Sequence, residues 1–571
     1  MAGLRPAQAH FKRLEPRAQS SFRQVYSLAF KGQPYDTPSV PIAPNRELSD
    51  QFSAFHFSDL HHKLIHFEQA SSPYHFLSLL TPYFQHKSLL DNESVLVSIG
   101  DDHTGSPLDH FLGSAHSKFD MSAAYRSYSL AGLDAAVIGN HDLDMGTENL
   151  KKAIQSDAAF PVLSANIQGD LGHVPGIVGV TPSGLRVGLL GLTTTEPRHN
   201  FSQSGPSLII EDPLTTLDRY LPTLLKNSDV VFLLSHLGLQ STPNGVVNDL
   251  DLAKHIAAHY PLGRVFILGG HSHQSVQPID LTSPVPIAHA GYHGRYLGEF
   301  KLQTENLSRS KNLKFQSTFH QNQGQPSADI LSSDLFAFQQ SLFEQLQPEL
   351  TSPLIQLNHT DSEASPKNEF NCLACQFVAD SIHEQFQVYG QHIGHSADLV
   401  LMNDSSIQSE VRLGNSLNRL QINALFPYTD QAVLVDLTGR QLLAVLDENL
   451  RRWTADQPHN HRLGFLRASK ALRLQIQGGP GKRKILRADL NGESLHDKPE
   501  KTYRVLIPAY VFQGNEDWED RFFREPHVKL EIGLKTLLLQ YAAATSSVSI
   551  QNDGRLSLVK PNQCYFSFEP R

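Results

Sequence analysis

The chain has 571 residues, 40% of them hydrophobic and 18% charged, with a net charge of -9 at pH 7 and a pI near 6.3. That length exceeds what one core holds and implies two or three domains. The acidic balance excludes a protein that coats nucleic acid, and no apolar run approaches the ~20 residues of a membrane span. The sequence specifies no oligomeric state.

Residues 1–48 read as an N-terminal extension, basic and poor in acids up to Asp36. The extension lacks the apolar core of a secretory signal, so cytoplasmic residence is the default expectation. A periplasmic or secreted location follows instead if a leader has been removed. From residue 49 to 326, buried strands alternate with helical stretches such as Tyr74–Leu90 and Leu250–Tyr260, which predicts an α/β domain. Five of its apolar runs end in polar donors: FHFSDLH (55–61), LVSIGD (96–101), AVIGNH (136–141), VFLLSH (231–236) and FILGGHSH (266–273). Further strands are expected at Leu185–Thr194 and Pro286–Ala290, and a hairpin over 297–320 with its turn near Asn306. Residues 327–353 contain an amphipathic linker helix, Ile330–Leu350. A second domain then covers 354–571, opening with a helix around Asn371–Val388. Strands follow at Asp398–Met402, Gln431–Leu437, Leu472–Ile476 and Thr502–Pro508. Cys372 and Cys375 sit in a stretch with helical periodicity and are expected to pack as small helix residues, since no second pair completes a zinc site.

The five strand ends carry the chemistry. Ligands of α/β sheets collect at the carboxyl ends of strands, where Asp59, His61, Asp101, Asn140, His141, His236, His271 and His273 would converge. Asp59 and His61, two residues apart on an extended strand end, face one side and can share an ion. Asp101 follows Gly100, which permits a sharp turn, and its carboxylate can lie between two ions ~3.5–4 Å apart. Asn140, His236 and His271 would complete the second ion, and His273 the first. Mixed imidazole and oxygen donors suit Zn, Mn, Fe or Co.

In this order the motifs D-x-H, GD, GNH, H and GH-x-H resemble the signature of the calcineurin-like metallophosphoesterases. GDDHTGSPLD (100–109), NHDLDMG (140–146) and AHAGYHGRYLG (288–298) are similar to segments of the 5'-nucleotidase and UDP-sugar hydrolase branch. The resemblance implies an N-terminal β-sandwich flanked by helices (αββα) and a C-terminal α+β domain that binds substrate. It implies two divalent ions (Mn, Zn, Co, Fe or Mg) and release of phosphate from nucleotides by a metal-bridging hydroxide. In that reading Asp59, His61, Asp101, Asn140, His236, His271 and His273 are ligands. His141 is instead the catalytic partner, oriented by Asp144. The alternative keeps the metal site but acts on another phosphoester: a cyclic nucleotide, a nucleotide sugar or a non-nucleotide ester. A non-catalytic scaffold is a third possibility, at odds with the intact donor set.

The second domain departs from the family. Its N-x-G-G-x-R appears as Asn403-Asp404-Ser405-Ser406-Ile407-Gln408, without the guanidinium that would grip phosphate. Arg412 is a substitute candidate. Tyr428, with Phe512 or Trp518, would stack on a base, and Asn515, Glu516 and Asp517 stand where GGDG is usual.

Overall fold

The computed structural model describes residues 11–14, 20–30, 39–42, 48–49, 51–69, 71–89, 93–112, 119–144, 146–195, 208–239, 246–278, 282–303, 313–328, 330–359, 372–408, 413–428, 430–452, 464–478, 483–514, 518, 522–523 and 527–559. It divides into two compact units, Met1–Gln347 and Pro348–Arg571. The division falls inside the helix Asp334–Thr351, which occupies most of the predicted linker. Among the described residues no helix is long and apolar enough to cross a membrane.

The first unit is built from two sheets packed face to face. One has six strands, in the order Lys314–Gln321, Tyr296–Gln303, Gln51–Phe57, Ser94–Ser98, Ala135–Val137, Val162–Leu163. The other has eight strands and contains Arg186–Thr193, Val230–His236 and Val265–Gly269 as parallel neighbours. Alternation along each strand explains the layering. Phe232 and Leu234 point into the inter-sheet core with Phe52, Val95, Val97 and Val137. Val231 and Leu233 face the other way, onto the helices Pro213–Asn227 and Asp249–His259. The αββα sandwich expected from the resemblance is therefore the observed architecture.

Polar, basic sequence before residue 48 hides two strands. Phe11–Leu14 pairs with Gln24–Leu28, which pairs in turn with Gly176–Val180 and so extends the eight-stranded sheet. The expected hairpin forms between Tyr296–Gln303 and Lys314–Gln321, while its turn near Asn306 lies outside the described residues.

The second unit is α+β. A five-stranded sheet runs Leu466–Ala468, Leu399–Asn403, Thr502–Pro508, Gln431–Thr438, His527–Gly533. Helices Leu373–Ile393 and Leu534–Ala544 share one core with it. The helix Gly439–Arg451 and a four-stranded sheet share another. The two cysteines correct the expectation of simple packing. Cys372 caps the first of these helices and is disulfide-bonded to Cys375, because i,i+3 positions share a helix face and their Cα atoms lie 5.2 Å apart.

Candidate metal centre

Three motif strands, Gln51–Phe57, Ser94–Ser98 and Ala135–Val137, are parallel neighbours in one sheet. The other two, Val230–His236 and Val265–Gly269, are parallel neighbours in the facing sheet. Their carboxyl ends therefore meet at one edge of the sandwich. The expectation of an extended D-x-H is corrected here: the strand stops at Phe57, and Asp59 and His61 both take left-handed backbone (φ 51° and 49°). Their N–H groups donate to Gly100 O and Asp101 O, both at 2.9 Å, which zips the first loop to the second. Asp101, His271 and His273 are also left-handed, with φ of 54°, 72° and 55°.

Two groups of donors result. One ligand atom from each of Asp59, His61 and His273 lies within 4.8 Å of the others, and the same holds for Asp101, His236 and His271. The groups adjoin: His61 Nε2 is 4.0 Å from Asp101 Oδ2, and His236 Nε2 is 3.9 Å from Asp59 Oδ1. Asn140 joins the second group, its Oδ1 3.2 Å from His236 Nε2.

Hydrogen bonding shows that this donor set suits a cation. His61 Nδ1 donates to Thr104 O (3.0 Å) and His236 Nδ1 donates to Ile99 O (2.6 Å). Those bonds fix the tautomers and leave each Nε2 as a lone pair in the neutral ring. His236 Nε2 then faces Asp101 Oδ2 at 3.1 Å and Asn140 Oδ1 at 3.2 Å, and His61 Nε2 faces His273 Nε2 at 3.2 Å. With neutral rings these atoms would be acceptors crowded against acceptors, so a positive charge, a proton or a metal ion, is required between them. The protonation equilibria carry the same demand. Burial pushes the Asp59 carboxyl up, but His273 and His236 outweigh it and hold the group at about 2. Burial also opposes charge on His236, yet Asp101 and Asp59 raise it to about 10. His61 goes the other way, lowered by burial to about 4. The residues present fit divalent ions held by imidazole and carboxylate.

His141 stands apart from both groups. Its backbone N–H donates to Asp101 Oδ1 (2.7 Å) and its Nδ1–H to Asp144 Oδ2 (2.6 Å). Burial disfavours its charged form, but Asp144 and Asp101 dominate and raise it to about 10. The Nε2 edge of this ring is a proton donor beside the donor groups, its centroid 5.2 Å from that of His61.

Asp142 escaped the sequence reading. This carboxylate, 2% exposed, accepts from the N–H groups of Gly139 (2.7 Å), Asp102 (3.0 Å), Asp101 (3.1 Å) and His103 (3.1 Å). A fifth bond comes from His103 Nδ1 at 2.8 Å. It ties the GD loop to the GNH loop, and the acid directly after His141 was its signal. Gly139 must be bare for this closure, because a Cβ there would collide with Asp101.

Among the described residues, the second unit holds the substrate candidates Asn403, Tyr428, Phe512 and Trp518. Asn403 is 1% exposed and its Nδ2 donates to Ser405 Oγ (2.7 Å). Tyr428 is 44% exposed. Phe512 lies against His527, with centroids 4.4 Å apart. Trp518 is corrected: it is 1% exposed, stacks beneath Arg452 and donates to Gly464 O (2.8 Å), so apolar packing has withdrawn it from any ligand. Arg412, Asn515, Glu516 and Asp517 lie outside the described residues.

Residues 352–522 match the family of the 5'-nucleotidase C-terminal domain. A 5'-nucleotidase of Diplobatis ommata is 21% identical over 461 residues, 75% of each chain. An apyrase of Tabanus yao is 22% identical over 514 residues, 82% of this chain and 85% of its own. The crystal structure of a 5'-nucleotidase precursor from Thermus thermophilus shares the fold, with a TM-score of 0.58 at 19% identity over 89% of this chain and 99% of that one. The resemblance to 5'-nucleotidases thus holds across most of the chain.

Proposed function

We propose that this protein is a metal-dependent phosphoester hydrolase that releases phosphate from nucleotides. The observation that carries the reading is the convergence of lone pairs from two adjoining donor groups beside a protonated histidine. The 5'-nucleotidase likeness over most of the chain supports nucleotide substrates. Asp59, His61 and His273 would hold one divalent ion, and Asp101, Asn140, His236 and His271 the second, with Asp101 shared. When bound, such ions supply Lewis-acid polarisation of a phosphoryl oxygen and lower the pKa of water toward 7. The chain's own residues do the rest. Asp144 holds the His141 ring and its Nδ1 proton, leaving Nε2–H to stabilise phosphoryl charge or protonate the departing oxygen. We read residues 49–326 as the metal domain, 327–353 as the linker and 354–571 as the substrate domain, with Asn403, Arg412, Tyr428, Phe512 and Asp517 contacting the substrate.

A second reading keeps this metal site and changes the ester. Gln408 in place of the family arginine favours it, because a neutral amide cannot supply the bidentate charge that grips a nucleotide phosphate. A panel of nucleoside mono-, di- and cyclic phosphates, nucleotide sugars and simple esters, run with Mn, Zn, Co and Mg, separates the two. Base-dependent turnover supports the nucleotidase, and a flat response to the base removes the stacking role of Tyr428. Turnover surviving Asp101→Asn unaltered would sink the metal mechanism altogether.

A further inference from the structure

Behind the donor groups lies a hydrogen-bonded strut made of residues that are not themselves candidate ligands. Asp249, fully buried at the start of the helix Asp249–His259, accepts from His289 Nε2–H at 2.7 Å. With its proton on Nε2, His289 presents Nδ1 as an acceptor to the Ser272 hydroxyl, 3.4 Å away. The other Asp249 oxygen accepts from Ser235 Oγ, and the Asp249 N–H donates to Gly238 O at 2.8 Å. The two serines matter because of their neighbours. Ser235 immediately precedes His236, and Ser272 stands between His271 and His273.

One buried carboxylate and one buried imidazole, 0% and 1% exposed, thus connect the two segments that carry three of the candidate ligands. The strut has a path cleared for it. Gly269 runs alongside, and a Cβ at that position would collide with both His289 Nε2 and Asp249 Oδ2. The strut also joins parts that the strand ladder does not cover, the loop after Val265–Gly269 and the helix start at Asp249, to the paired strands Val230–His236 and Ile287–Ala290. A buried carboxylate–imidazole pair is costly unless every bond is made. This one is satisfied only when the His236 and His271–His273 segments sit in their present register.

We infer that Asp249, His289 and Ser272 are positioning residues that set the metal affinity of the centre by fixing the His236 and His271–Ser272–His273 segments. The inference rests on the metal-site reading above. Such partners behind ligands change metal affinity by roughly 10–100-fold when removed. Side-chain geometry grades the variants. A glutamine amide reaches the place of Nε2 and keeps the Asp249 bond while losing Ser272. Leucine loses both.

The test is calorimetric titration of the metal-free full chain with Mn, beside a thermal unfolding scan of each variant. His289→Leu should raise the Mn Kd about tenfold or more, and His289→Gln should recover a large part of that loss. Ser272→Ala, a change at a half-buried loop position, should raise the Kd several-fold with an unchanged unfolding temperature. If His289→Leu does not fold, Ser272→Ala and His289→Gln decide the matter. Wild-type Kd in both of these folded variants overturns the inference. A wild-type chain that binds no metal fails the metal-site reading itself, and that outcome is distinct.

Discussion

Replacing Asp142 by Asn tests whether one carboxylate closes the floor of the centre. The amide is the same size, so packing is preserved and only acceptor capacity changes. Oδ1 of Asp142 takes three donors, Asp102 N, His103 N and His103 Nδ1, while Oδ2 takes Asp101 N and Gly139 N. An asparagine retains most by putting its oxygen in the Oδ1 place. Its NH2 then faces two buried N–H groups that lose their acceptor. Each such loss costs about 1–3 kcal/mol, so about 3 kcal/mol is expected after relaxation. The unfolding entropy of a unit of this length is about 0.7 kcal/mol/K, which turns that cost into a fall of about 4 °C. The chain reports its units separately: both tryptophans, Trp453 and Trp518, belong to Pro348–Arg571. Scanning calorimetry of metal-free Asp142→Asn should show the lowered transition, while tryptophan fluorescence should not move. Wild-type stability in the calorimeter, or a shift in fluorescence alone, would refute the reasoning.

Gly139→Ala should cost both stability and metal binding, because the new Cβ collides with the Asp101 backbone nitrogen as well as its carboxylate; calorimetry and metal analysis of the purified variant check this. His141→Ala should keep its metal content and lose about 10²–10⁴ in turnover, the usual contribution of a positioned proton donor; loss of one ion instead would make His141 a ligand. Arg555 joins Asp380 (2.8 and 2.6 Å) to Asp553 (2.9 Å) in the second unit. Arg555→Ala should lower the fluorescence-detected stability by about 3 kcal/mol, the loss expected when one partner leaves a mostly buried ion pair. Its pH dependence has a definite sign. Burial raises Asp553, but the bonds from Arg555 outweigh this and hold it below 3.8. The contribution is therefore present above the unfolded value and fades as pH falls through the lower folded one. The gap between wild type and variant should be constant near neutrality and narrow only below about pH 4 in urea titrations.

The candidate ligands were readable because each stands at the end of an apolar run, and sheet topology then had only to bring the runs to one edge. What supports them was not. Asp249 and His289 are 40 residues apart, and nothing local marks either as the other's partner until strand register is known. Asp142 was visible as a letter but not as a hub, since its five donors come from two loops that fold against it. Trp518 failed for a related reason: an aromatic near a loop reads equally well as a stacking platform or as core, and only its partners Phe522, Phe523 and Arg452 decide. In the second unit the proposed substrate contacts include Arg412 and Asp517, which lie outside the described residues, so the reaction is legible where its specificity is not.

The backbone shows where the centre stores its cost. Five of the seven candidate ligands, Asp59, His61, Asp101, His271 and His273, have positive φ, a conformation that costs a non-glycine residue roughly 1–2 kcal/mol. Asp and His tolerate it better than most residues, and the tight turns it produces after three of the five strands aim their side chains at one point. In the metal-free chain no ion offsets this strain, so the first unit should be weakened by its own site. Ions binding the folded site alone would reverse this. At a free concentration 100 times Kd the gain is about 2.7 kcal/mol, equivalent to about 4 °C for this unit. Adding Mn to chelator-treated protein should therefore raise the calorimetric transition of Met1–Gln347 and leave the tryptophan signal in place, and Asp101→Asn should abolish the rise. Equal movement of both transitions would mean that the ions act elsewhere, and no movement in protein that holds metal would mean that the left-handed loops are not strained by its absence.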